Sequence, residues 1–181
     1  MRYLLILIVF FSIANGYSYS DQLMQIYAKI SPRIVLMSKM PYSIPENSID
    51  IIILYEKGDG RAAENLRKKM LQIYPEGLKG RKLEIELIPY GEDKKLRKVS
   101  MLFFMEGDID SVVTALDFAK KNRVLTISYS KRLLAYGVIL SLYIGKTVKP
   151  FLNLEAARSR GIVFDNILFK ISKIYSSKSV Q

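Results

Sequence analysis

Histidine and cysteine, which supply much of the chemistry of enzyme sites, are both absent from this 181-residue chain. Without His there is no Ser-His-Asp or Cys-His site, and the commonest general base and zinc ligand are missing. Glu84 and Glu86 alternate along an apolar segment, which suits the wet face of a strand. Asp108 and Asp110 stand where a helix is expected to begin, which suits capping. The sequence therefore predicts no enzyme, no metal and no cofactor.

Positive charge is the strongest remaining signal. The chain has 28 Lys and Arg against 17 Asp and Glu, a net charge of +11. Arg132, Arg158 and Arg160 are the solvent-side residues that we predict to contact a partner or an anion, because guanidinium groups bind carboxylates with two parallel hydrogen bonds. The competing interpretation is that these charges only solvate the surface.

A glycine-rich turn is a second candidate site. Gly58, Asp59, Gly60 and Arg61 join an apolar strand to a helix. Backbone N–H groups at such a junction attract anions, so Gly58, Gly60 and Arg61 form a candidate ligand-binding turn. The competing interpretation is an ordinary turn in which Asp59 caps the helix, since no complete phosphate-binding motif is present.

A third candidate lies after the opening helix, where Met37, Met40 and Tyr42 follow one another closely. Met-rich apolar patches suit adaptable contacts with other proteins. The same residues are equally suited to core packing. We therefore predict either a partner-contact patch or part of the core at this position.

The N-terminus predicts export. Residues 1–16 combine an early Arg2, an apolar run from Leu4 to Ile13 and small residues at Ala14 and Gly16. This pattern is typical of a secretory signal peptide, with cleavage after Gly16 or as late as residue 20. A core helix or an uncleaved anchor is the alternative. Loss of Arg2 lowers the net charge to +10, and in an exported protein the membrane surface, the cell wall or an acidic protein is expected as partner rather than nucleic acid.

Alternating strands and helices predict the fold class. Ile49–Tyr55 is a continuous β-branched apolar run, typical of a strand buried on both faces, and a helix is predicted over residues 61–74. The pattern predicts an α/β three-layer sandwich, with a mostly parallel, partly mixed central sheet flanked by helices. We expect one domain over residues 21–175 and a flexible tail over 176–181. Pro32 is expected to break or kink the opening helix.

The last third of the chain carries a family resemblance. The segment FLNLEAARSRGIVFDNILFKI at 151–171 has a strand ending in Asn, a short helix with paired alanines, a Gly and a final helix. It resembles the signature of the YfiR-like family of periplasmic proteins. The matching residues, expected to have structural roles, are Asn153, Ala156, Ala157, Gly161 and Leu168. Asn153 is expected to cap the short helix, with a ligand contact at the end of the strand as the alternative. From Asp165, the final helix is expected to bury Leu168, Ile171 and either Ile174 or Tyr175.

The resemblance implies a periplasmic regulator that binds the periplasmic sensor domain of a membrane-bound diguanylate cyclase and holds the cyclase inactive. It implies a single YfiR-like domain with an inner-membrane signalling protein as partner. The chain departs from the family pattern by having no Cys, Ser38–Pro41 in place of a Trp-Pro helix end, and Tyr136-Gly137 in place of a double glycine. Redox control by disulfides is therefore not implied.

Two alternatives stay open. The chain is also suited to be a periplasmic small-ligand or anion-binding protein. A basic protein associated with the cell wall is the second alternative, because the net charge is large and positive. Homodimerisation is compatible with either role.

Overall fold

The computed structural model describes residues 17–43 and 45–176. The helices are α1 (Asp21–Leu36), α2 (Gly60–Ile73), α3 (Ile109–Lys121), α4 (Leu154–Ser159) and α5 (Asn166–Ile171). The strands are β1 (Ser38–Lys39), β2 (Ser48–Tyr55), β3 (Lys82–Pro89), β4 (Met101–Phe104), β5 (Leu125–Ser128), β6 (Leu140–Ile144), β7 (Val148–Leu152), β8 (Val163–Phe164) and β9 (Lys173–Ile174). A 3-10 turn, Lys131–Tyr136, connects β5 to β6.

Seven strands form the central sheet, in the order β3-β2-β4-β5-β6-β7-β9. The pairs from β3 to β6 are parallel, and so is the pair of β7 with β9. The β6–β7 hairpin is antiparallel. A separate antiparallel pair joins β1 to β8. The predicted mostly parallel, partly mixed sheet in a three-layer sandwich is confirmed.

The apolar run of β2 is buried on both faces, because successive side chains of a strand point to opposite sides. Ile51 and Ile53 belong to the apolar cluster under α1, α2, α4 and α5. Ile52 and Leu54 belong to the cluster under α3 and the 3-10 turn. Each of the four is at most 1% exposed, so the two clusters are the two interior layers of the sandwich.

The opening helix differs from the prediction. Pro32 lies inside α1, which continues to Leu36, so of the predicted break or kink the break is wrong. A proline removes one backbone N–H from the helix ladder. Pro32 and its neighbours Ser31, Ile34 and Val35 are all buried, and this packing against the sheet outweighs the lost hydrogen bond.

The final helix also differs. It ends at Ile171, and the chain then turns into β9, which pairs with β7. Leu168 is buried as predicted, but Ile171 is 47% exposed and Ile174 43% exposed. The predicted continuation of the helix beyond Ile171 and the predicted burial of Ile171 are therefore wrong, whereas Tyr175, the alternative to Ile174, is half-buried against the cluster under α3. Pairing with the open edge of β7 satisfies backbone groups that a longer helix would leave unpaired on that strand.

The predicted leader, residues 1–16, lies outside the described residues, as do residues 177–181 of the predicted tail. The domain boundaries therefore stay a prediction. In the part of the chain that the structure describes, no helix has the length and apolar character needed to cross a membrane.

Candidate functional site

An apolar groove runs between the C-terminal half of α1, strand β7 and helix α5, and we name it the α1–α5 groove. Its volume is about 610 Å³. It is lined by Ile30, Arg33, Ile34, Met37, Thr147, Val148, Lys149, Pro150, Leu168, Lys170 and Ile171. Ile34, Pro150 and Leu168 are buried and form its floor. Val148 and Ile171 are 38% and 47% exposed, so the walls present apolar side chains to solvent.

The groove follows from the local periodicities of its three elements. Ile30 and Ile34 lie on one face of α1, and Met37, the residue that caps its C-terminus, continues the same spacing. Val148 and Pro150 are two residues apart in β7, so they share one face of the strand. Because three elements each present an apolar edge and no fourth element covers them among the described residues, the groove stays open.

Helix α1 is anchored to the sheet by the Tyr27 hydroxyl. This buried group donates to the Tyr129 carbonyl oxygen at 2.8 Å and accepts from the Leu142 N–H at 3.2 Å. It also lies 3.2 Å from the Ser141 hydroxyl. Burial raises the pKa of Tyr27 well above its ordinary value, so the hydroxyl stays neutral and able to donate. The wall of the groove is therefore fixed by a core contact.

Three exposed cations surround the apolar walls: Arg33, Lys149 and Lys170. Within the described residues none of them has a carboxylate within 4.0 Å. The Arg33 guanidinium lies 5.9 Å from the centre of the Tyr74 ring. The groove thus combines an apolar floor with a positively charged rim, which suits an apolar segment flanked by acidic residues.

The structure separates the three residues of the Met-rich candidate. Met37 is half-buried and lines the α1–α5 groove. Met40 is half-buried against the core cluster under α1. Tyr42 donates from its hydroxyl to the Val99 carbonyl oxygen at 2.8 Å, with the Lys98 ammonium 4.4 Å from its ring centre. Only Met37 of the three lines the groove.

The three candidate arginines are also separated. Arg132 is paired with Glu106 at 3.2 Å, beside the 3-10 turn. Arg158 lies exposed on α4. Arg160 is only 2% exposed, so its expected place on the solvent side is wrong. The guanidinium turns inward because its N–H groups find acceptors at the start of β5 and at Gly137.

The glycine-rich turn leads through a 3-10 turn, Lys57–Asp59, into α2 at Gly60. Gly58 and Arg61 are exposed there. The turn interpretation predicted that Asp59 caps α2, and this is wrong for the side chain: Asp59 holds the N-cap position, but its carboxylate accepts no capping hydrogen bond from the helix. It accepts instead from the Tyr17 N–H at 3.1 Å and from the Tyr19 hydroxyl at 2.8 Å. A buried carboxylate at this helix start repels anions.

The motif residues have structural positions. The Asn153 side chain accepts from the Ala156 N–H at 3.0 Å, which confirms that it caps α4, and donates to the Leu134 carbonyl oxygen at 3.0 Å. Ala156 and Ala157 lie on the buried face of α4. Gly161 has a φ of 67°, a left-handed conformation that ends α4 and favours glycine. Leu168 forms part of the groove floor.

Sequence reasoning missed most of the groove. Val148, Lys149 and Lys170 were not singled out, and Ile171 was expected in the core. The helical spacing of Ile30, Ile34 and Met37 was the available signal, because it extends the apolar face of α1 past Pro32. Among the described residues no group of three or more Asp and Glu is arranged to hold a metal ion.

Comparison with known proteins places this geometry in context. The family model for YfiR/HmsC-like proteins matches residues 42–173. No match is found among curated proteins.

Solved structures share the fold at low identity. A conserved domain protein from Vibrio cholerae O1 biovar eltor str. N16961 has a TM-score of 0.55 and 12% identity, with 84% of this chain and 60% of that one covered. The ABC domain in complex with L-Trp from Streptococcus pneumonia has a TM-score of 0.52 and 13% identity, with 80% and 61% covered. This chain therefore spans about three-fifths of each of those proteins, and the likeness shows the fold alone.

Proposed function

The chain belongs to the YfiR/HmsC-like family, whose members are periplasmic regulators of diguanylate cyclases, and from this membership we propose that it docks on the periplasmic sensor part of an inner-membrane diguanylate cyclase and represses it. The α1–α5 groove is the observation that carries this proposal, because it is an apolar surface with a charged rim and no covering element among the described residues. The predicted leader supports a periplasmic location.

The chemistry of the groove favours an acidic partner over a second copy of this chain. A partner segment that inserts apolar side chains would bury Met37, Val148 and Ile171, and acidic flanks would meet the rim cations. Two copies facing each other through this groove would place two sets of exposed cations together, which disfavours association. The net charge of +11 acts in the same direction.

Repression then follows from differential binding. A regulator that binds the inactive conformation of the sensor more tightly than the active one shifts the population toward the inactive form. A shift from 1:99 to 99:1 requires a difference in affinity of about 10⁴-fold. An apolar groove supplies part of such a difference when the partner segment is exposed in one conformation and covered in the other.

The test measures cellular cyclic-di-GMP in a strain that lacks the gene. We expect the level to rise on deletion, to return to normal with the wild-type gene, and to stay high with Ile171→Asp. Ile171 is a groove wall with 47% exposure, so a charge there costs little folding stability but opposes docking. The matched control is Leu71→Asp on α2, which is 39% exposed and does not line the groove.

Cross-linking in intact cells, followed by recovery of the membrane proteins, identifies the partner. Recovery of an inner-membrane cyclase with wild type and Leu71→Asp, but not with Ile171→Asp, supports the proposal. An unchanged cyclic-di-GMP level on deletion, with no membrane protein cross-linked, contradicts it. Cross-linking of the chain to itself through the groove, lost in Ile171→Asp, would replace docking on a cyclase by homodimerisation.

A further inference from the structure

Arg160, in the turn after α4, is a large polar side chain placed almost entirely inside the protein, with 2% exposure. Its Nη1 group donates to the Val124 carbonyl oxygen at 3.3 Å and to the Thr126 hydroxyl at 2.8 Å. Its Nη2 group donates to the Gly137 carbonyl oxygen at 2.6 Å. The guanidinium therefore joins the residue before β5, strand β5 itself and the turn that precedes β6.

These three bonds leave part of the guanidinium unused. An arginine has five N–H donors, so two donors of Arg160 have no acceptor among these contacts. One of them is the Nε–H, which is buried and has no hydrogen-bond partner. Nε–H and an Nη2–H form one fork of the guanidinium, the geometry that matches the two oxygens of a carboxylate.

The charge of Arg160 is also unmatched. No carboxylate of the described residues lies within 4.0 Å of its nitrogens. Burial lowers the pKa of Arg160 to about 10, so the group remains a cation at neutral pH. A buried cation without an anion is costly, and an anion bound beside it removes that cost.

Arg160 is one of the residues that line a cavity of about 300 Å³. Its lining includes Arg160, Lys120, Gly137 and Glu155 together with the rings of Tyr136 and Tyr175. The Lys120 ammonium lies 3.2 Å from Asp117. Lys120 is thus already paired, and Arg160 is the lining cation that has no carboxylate of the described residues within 4.0 Å, which suits a ligand with one negative charge. The aromatic rings suit an apolar ligand body.

We propose that this cavity binds a small organic carboxylate with one negative charge, whose two oxygens accept from the unused donors of Arg160. The apolar part of the ligand packs on Tyr136 and Tyr175, and Lys120 adds attraction at the cavity wall. This site is separate from the α1–α5 groove, since the two linings share no residue. The proposal therefore does not rest on the docking role.

The experiment follows the Nε–H resonances of arginine in ¹⁵N-labelled protein during titration with sodium benzoate, against sodium chloride at equal ionic strength. The Arg160 resonance is assigned as the one missing from Arg160→Lys, whose fold is checked by circular dichroism. We expect a saturable downfield shift of that resonance alone. No shift, or a non-saturating shift shared by all arginines, would overturn the proposal.

Replacement of Arg160 is able to disturb folding. Two further variants therefore test the cavity with Arg160 unchanged. Lys120→Gln is expected to weaken benzoate binding about threefold, because solvent screens part of the attraction between the Lys120 ammonium and the carboxylate. The matched control, Lys121→Gln, changes an exposed neighbour outside the cavity and is expected to bind as wild type does. Equal binding by wild type and Lys120→Gln would contradict the assigned cavity, and equal binding by Arg160→Lys would contradict the assigned donor.

Discussion

The α1–α5 groove and the Arg160 cavity both carry positive charge, but they hold it in different ways. The groove has three cations in solvent around an apolar floor. The cavity is lined by one cation inside the protein, with two of its five N–H donors unused. Exposed charges mainly steer an encounter and are screened by salt. A buried charge has to be matched by a specific partner. The same residue types thus support broad attraction at one place and selective binding at the other.

The largest expected effect comes from removing the buried cation. Arg160→Met eliminates the donor of three hydrogen bonds and leaves buried acceptors at Val124 and Thr126, and a half-buried one at Gly137, without this partner. We expect a loss of roughly 3 kcal/mol in the free energy of unfolding, measured by urea denaturation. The matched control is Arg158→Met, an exposed arginine two residues earlier, with an expected change within about 0.5 kcal/mol. Equal losses in both variants would mean that burial does not distinguish the two cations.

The next effect tests whether the groove wall depends on the core. Tyr27→Phe removes the hydroxyl that joins α1 to Tyr129 and Leu142. We expect a loss of about 2 kcal/mol in the free energy of unfolding, because a half-buried carbonyl oxygen and a buried N–H lose their partner. Hydrogen exchange in α1 should increase as well. Tyr136→Phe, at a tyrosine that is 42% exposed, is the control and should change neither quantity.

A smaller effect is expected from the rim of the groove. The double substitution Lys149→Glu and Lys170→Glu should slow association with the partner about tenfold at low salt and leave the dissociation rate nearly unchanged. The difference from wild type should shrink as ionic strength rises. Surface plasmon resonance over a salt series measures both rates. A salt-independent defect, or the same defect in Lys121→Glu on α3, would contradict a steering role for these cations.

The smallest effect is a pH dependence of the unfolding free energy that comes from Tyr42, in the segment between β1 and β2. Burial raises the pKa of Tyr42 to about 12, whereas the unfolded chain titrates at its ordinary value near 10. As pH rises through this interval, the unfolded state loses the proton first, so the stability that Tyr42 contributes is lost. Tyr42→Phe should therefore show a flatter decline in unfolding free energy between pH 9.5 and 11.5. Parallel curves for the two proteins would contradict this linkage.

The central sheet was predictable because the residues that favour strands locally are also the apolar residues that its core requires. Every residue of the run Ile51–Ile53 is apolar, so the side chains on both faces of the strand are suited to burial. The cap at Asn153 was predictable for a similar reason, since the side chain satisfies an N–H three residues away. Interactions between residues this close in the chain are predictable from the sequence.

The sites were less predictable, because they are formed by residues far apart in the chain. The groove brings together Met37, Val148 and Ile171. Ile171 looks like a core residue by helical spacing, but α5 ends there and exposes it. Arg160 looks like a surface residue by type, but its acceptors lie at Val124 and Gly137. Residue type gives no indication of acceptors that only the folded chain brings near.

The candidate arginines show most clearly what each level decided. The sequence alone determined an α/β sandwich, the absence of His and Cys chemistry, and a strongly positive chain. It did not distinguish Arg132, Arg158 and Arg160. Tertiary structure placed the first in an ion pair, the second in solvent and the third in the interior. The physical reason is that a charge acts according to its burial and its neighbours, and both are set by distant segments that meet only when the sheet has formed.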